Sequence, residues 1–80
     1  MTINYIAVKI ESFLLPLIGE LLTAATLKVQ CEKIGASVEK LTPMHLPELA
    51  PRIEQALVIF LGSDRSKRVA KQILEMNISN

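Results

Sequence analysis

Apolar residues return every three or four positions through the first third of the chain: Ile6, Ile10, Phe13, Leu14, Leu17 and Leu21, then Ala24 and Ala25. That spacing marks one face of an α-helix. A second apolar row, Val8, Leu15, Leu22 and Val29, runs at heptad steps on another face. One stripe is enough to cover a core, whereas two stripes describe a segment packed on two sides. Pro16 and Gly19 interrupt the pattern, because proline lacks the helical N–H and crowds the preceding turn. The pattern predicts helices over 3–17 and 19–34, a kink or tight joint between them, and a stop at Gly35.

Residues 35–46 read as the one long connector, with Thr42-Pro43 and Pro47 as turn and helix-start signals. Pro47 suits the first turn of a third helix, as does Pro51 if the regular turns begin there. That helix carries Ile53, Leu57, Phe60 and Leu61 and breaks at Gly62. Ser63 or Asp64 is expected to cap a fourth helix running to about Met76, with Val69, Ala70, Ile73 and Leu74 on its apolar face. Asn77 to Asn80 are expected to fray. No segment alternates as a strand would.

The two halves resemble each other. Ile10 to Lys28 (IESFLLPLIGELLTAATLK) aligns without gaps with Ile53 to Lys71 (IEQALVIFLGSDRSKRVAK), an offset of 43. Ile10/Ile53, Glu11/Glu54, Leu14/Leu57, Gly19/Gly62 and Lys28/Lys71 are identical, and Thr23/Ser66 are alike in kind. Duplication and chance similarity between amphipathic helices both account for this. Either way, the shared break at glycine makes each half a helix–Gly–helix hairpin. The expected fold is all-α: four or five short helices, arranged as two helix–Gly–helix hairpins packed into a bundle, in one domain over 1–80.

Leu14-Leu15-x-Leu17-Ile18-Gly19, followed by an apolar helix ending at Ile34-Gly35, resembles small all-helical modules appended to bacterial signalling proteins. Those modules carry a Leu-x-x-hydrophobic-Ile-Gly-Pro-Ile-Ala helix junction. Here Gly19 is followed by Glu20-Leu21-Leu22 and Gly62 by Ser63-Asp64-Arg65, so the Pro-Ile-Ala part is missing from both halves. The resemblance implies a regulatory or docking module without catalysis.

Composition narrows the choices. A chain of 80 residues buries only about 60–65% of the surface it exposes when unfolded, and small cores usually need a staple or a partner. Cys31 is the one cysteine and His45 the one histidine, so neither a disulfide within the chain nor a four-ligand zinc site can form. Hydrophobic residues make up 50% of the chain and mean hydropathy is +0.36. That excess points to burial against another protein surface. Nine Lys and Arg balance eight Asp and Glu, far from the basic surplus of nucleic-acid-binding domains. Met1 to Asn4 lack the features of a signal peptide. The most apolar window, Ile10 to Val29, contains Glu11, Glu20 and Lys28, which argues against a membrane span. A lone thiol fits a reducing, cytoplasmic setting.

Candidate sites follow. Arg65, Lys67, Arg68 and Lys71 crowd the start of the fourth helix, where free N–H groups favour phosphate or an anionic partner. The competing reading is a solvated face, with Asp64, Glu48 or Glu54 offsetting Arg65. Cys31 has no base nearby in sequence and reads as a structural thiol. His45, between two prolines, orients the connector, caps the next helix or senses pH. The carboxylates occur singly, which gives no acid–base pair. No catalytic residue, cofactor or metal is therefore expected. The row Val8, Leu15, Leu22 and Val29 is the candidate interface, because an exposed aliphatic row marks a contact surface. The expected function is a non-catalytic interaction or dimerisation module, most simply a homodimer, with another protein as an alternative partner. A small nucleic-acid-binding regulator using helix 63–76 is the alternative function, and a membrane-surface protein comes third.

Overall fold

The computed structural model describes residues 4–76. Helix α1 spans Tyr5–Lys33 and helix α2 spans Leu46–Glu75, joined by 3-10 turns at Val38–Lys40 and Pro43–His45. The described residues contain no strand, and the fold is all-α. There are two long helical elements where four or five short ones were expected. Each passes through its glycine with a single non-helical residue: Gly19 at φ 82°, ψ 170° and Gly62 at φ 81°, ψ 169°. Pro16 stays inside α1 without breaking it, so the interruption rests on Gly19 alone. The fraying expected at 77–80 lies outside the described residues.

Neither element is a straight rod. A straight helix of 29 residues would reach about 43 Å, yet the longest extent of the molecule is 32 Å. The glycine dihedrals supply the bend, in a region of positive φ that residues with a side chain rarely occupy. A methyl group placed on either glycine would meet no heavy atom within 4 Å. Backbone conformation, not close packing, demands glycine at both sites.

The ends of α1 are fixed by polar groups. Asn4 is its N-cap: Oδ1 accepts from the Ala7 N–H at 3.0 Å, while Nδ2 donates to the carbonyls of Leu41 at 2.8 Å and Glu39 at 3.3 Å. One side chain thus ties the helix start to the connector. At the other end Gly35 lies at φ 75°, the Ala36 N–H donates to Cys31 O at 2.9 Å and the Gly35 N–H to Glu32 O at 3.1 Å. This is the six-to-one and five-to-two pattern of a Schellman stop. His45 orients the connector, its Nδ1 accepting from the Thr42 N–H at 3.0 Å, and α2 then starts with Pro47 in its first turn. The cap expected from Ser63 or Asp64 does not form among the described residues. Instead Ser66 Oγ donates at 2.8 Å to the carbonyl of Gly62, one turn back.

Both elements feed one core. Ile10, Leu14, Leu27 and Cys31 of α1 pack with Leu41 of the connector and with Leu46, Leu49, Ile53, Leu57, Val69 and Ile73 of α2. The burial pattern repeats at the offset seen in the sequence. From Ala7 and Ala50 through to Ala25 and Arg68, each residue is buried, half-buried or exposed as its counterpart is. Ile10/Ile53, Leu14/Leu57 and Thr23/Ser66 are buried pairs, while Leu22/Arg65 and Ala25/Arg68 are exposed ones. The two halves therefore repeat in backbone bend and in burial, although their surface chemistry differs.

Candidate interaction surfaces

The row Val8, Leu15, Leu22 and Val29 lies outside the core. These residues are 47%, 44%, 39% and 44% exposed, so they do not fill a wide interior. Gly19 divides the row into Val8 and Leu15 before the bend and Leu22 and Val29 after it. It is not one continuous helical stripe, because the bend resets the phase of the helix. Leu21, assigned by periodicity to the core stripe, is 82% exposed, and Leu17 and Phe60 are exposed as well. Ala24, Ala25 and Leu74, expected on the same apolar faces, are also exposed. The mismatch between Leu21 and Asp64 in the aligned halves was the available signal.

The repeat provides an internal comparison. Leu21, Leu22, Ala24, Ala25 and Val29 occupy the positions that Asp64, Arg65, Lys67, Arg68 and Gln72 hold in the second half. All ten are exposed. The fold accepts charged or polar residues at these places in one half, so it does not itself require aliphatic ones in the other. An apolar residue exposed at a site that tolerates charge costs solubility and gains nothing in the core. The same logic applies less to Leu15, whose counterpart Val58 is also an exposed aliphatic.

The basic residues are placed on the opposite half. Arg65, Arg68 and Lys71 line a groove of about 480 Å³ with Gln72 and Glu75; Leu17 is its exposed aliphatic residue, and Val69 beneath belongs to the core. Lys67 is exposed on another face of the same helix and does not line the groove. The local offset expected for Arg65 is absent. Glu48 lines a separate depression with Pro47, Pro51 and Arg52, and neither Asp64 nor Glu54 pairs with Arg65 among the described residues.

Cys31 is buried. Desolvation pushes its thiol up from 9.0 to about 11, with Glu32 and Glu39 adding to the effect. A thiolate nucleophile needs the opposite environment. No group of three or more His, Cys, Asp or Glu capable of holding a metal occurs among the described residues. By length and composition alone α1 could cross a membrane: its most apolar 18-residue window has a mean hydropathy of 1.5 and is 22% buried. A mostly buried core helix of a soluble protein and an N-terminal signal sequence pass the same test, so this is weak evidence for a span. No family model matches the chain, and neither does any curated protein or solved structure.

Proposed function

We propose that the chain is a non-catalytic, cytoplasmic interaction module that associates with a second copy of itself through the exposed aliphatic face of α1. We read each half as a helix–Gly–helix hairpin, with segments 5–18 and 20–33 forming the first and 46–61 and 63–75 the second, the two packed as a small bundle. Glu11, eight residues before Gly19, lines one depression with Ala24, Leu27 and Lys28, five to nine residues after it, which supports antiparallel segments. Such a pair of hairpins matches the regulatory or docking module implied by the signalling-protein resemblance.

The observation that carries the dimer reading is the contrast at equivalent exposed sites: Leu22 against Arg65 and Val29 against Gln72. A stable interface needs about 800 Å² from each partner, a modest share of the chain's 5363 Å². The face formed by Leu21, Leu22, Ala25 and Val29, extended by Val8 and Leu15, offers aliphatic groups for it. A two-fold pair would set this face against its own copy.

The test uses the molecule's own second half. Leu22→Arg with Val29→Gln installs residues that the equivalent sites already accept, so the variant should fold. Sedimentation velocity from about 1 to about 100 µM should show a dimer for the parent chain and a folded monomer for the double variant, with unchanged helicity. A parent chain that remains monomeric throughout, or a variant that dimerises as well as the parent, would overturn the reading.

A further inference from the structure

The groove between Leu17 and the last turns of α2 lies outside that interface. We propose that it binds an acidic amphipathic helix of a second protein, seating an aliphatic side chain on Leu17 and carboxylates against Arg65, Arg68 and Lys71. The three cations follow one another at intervals of three residues along α2, a rise of roughly 4.5 Å each. Cations spread over about 9 Å of helix axis suit a ligand with several anionic groups better than one with a single carboxylate or phosphate. A helix with an acidic residue on each turn meets all three. Its apolar stripe then falls beside the cations and onto Leu17, in the manner of helix-in-groove recognition.

Charge supplies the second argument. Cations in the opening turns of a helical segment oppose its dipole, and Arg65 forms no ion pair with a carboxylate among the described residues. The equivalent positions in the first half are Leu22, Ala25 and Lys28, so only the last cation is common to both halves. The fold does not require arginine at the other two.

The shape separates this partner from the other polyanions. Nucleic acid needs cations but has no use for an apolar floor beneath them. A bilayer surface is met by several protruding apolar groups, whereas here Leu17 is the one exposed aliphatic residue of an open groove lined mainly by polar and charged side chains.

The probe is a fluorescent synthetic helix of about 16 residues, long enough to follow the groove, with leucine on one face and glutamate flanking it. A second version carries glutamine at every glutamate. The acidic peptide should bind with an affinity that falls as salt rises, and the glutamine version should bind about tenfold more weakly or less. Arg68→Glu and Leu17→Asp should each weaken the acidic peptide by about tenfold. Lys67→Glu makes the same charge change outside the groove and should leave binding nearly unchanged. Circular dichroism confirms that all three variants fold. Equal binding of both peptides, or equal losses for Lys67→Glu and Arg68→Glu, would overturn the proposal. So would binding to phosphatidylglycerol vesicles or to a short DNA duplex that Arg68→Glu abolishes while the acidic peptide shows none.

Discussion

Cys31 shows how strongly a local environment acts on one residue. Its side chain is enclosed by the core, and burial together with Glu32 and Glu39 raises its ionisation from 9.0 to about 11. The unfolded chain gives up this proton near its ordinary value while the folded chain keeps it. The contribution to stability is therefore intact below pH 9.0 and is lost as pH rises toward about 11. The melting temperature of the parent chain should fall across that window by more than that of Cys31→Ala, which has nothing to ionise there. A thiol reagent at neutral pH should label the folded chain slowly, at the rate of its opening, and the denatured chain at once. Rapid stoichiometric labelling of the folded chain would contradict this description. The same residue was readable in the sequence as a structural thiol, because its neighbours are Gln30 and Glu32 and the sole histidine lies in another element.

At the scale of the elements, the two glycines organise everything else. Gly19 and Gly62 share one conformation to within a degree in each dihedral, and open space surrounds both. An L-alanine at either site carries backbone strain with no clash to relieve, at a cost of about 1–3 kcal/mol. A D-alanine adopts positive φ readily, so at the same site it should be neutral or stabilise by about 0.5–1 kcal/mol through the unfolded chain. Chemical denaturation of semisynthetic chains separates the two outcomes, and equal destabilisation by both isomers would mean that packing decides the site. The positions of the breaks were legible from the sequence, as were Ile10, Leu14, Ile53, Leu57, Val69 and Ile73 in the core. The phase of α1 after Gly19 was not. Periodicity was counted through the glycine as though the helix ran straight, which put Leu21 inside; the bend turns Thr23, Leu27, Gln30 and Cys31 inward instead. Leu74, expected on the apolar face of α2, is 42% exposed. Asn4 went unnoticed, although an asparagine just before a periodic apolar run is an ordinary N-cap signal. The candidate interface was half legible: the surplus aliphatic row stood out, but only burial at equivalent sites separates residues the fold requires from those it does not.

For the whole molecule, the two surfaces divide along the repeat, the first half presenting aliphatic residues where the second presents arginines. A chain of 80 residues has a thin margin of stability, and association through the first surface would add to it. Folding and association then become linked, and stability depends on protein concentration. In the limit where unfolding releases two chains, a tenfold increase in concentration adds about 1.4 kcal/mol per dimer. Two 80-residue chains unfold with an entropy near 0.34 kcal/mol per kelvin by the usual per-residue average, so the melting temperature should rise by about 4 °C per decade. Folded monomers persisting after dissociation would reduce that slope without removing it. Leu22→Arg with Val29→Gln should melt at one temperature from about 1 to about 100 µM, because its folding no longer depends on a second chain. Arg68→Glu, outside the aliphatic face, should keep the full slope of the parent. A parent chain whose melting temperature is flat across the same range has no second copy contributing to its stability, and the aliphatic face must then serve a different protein.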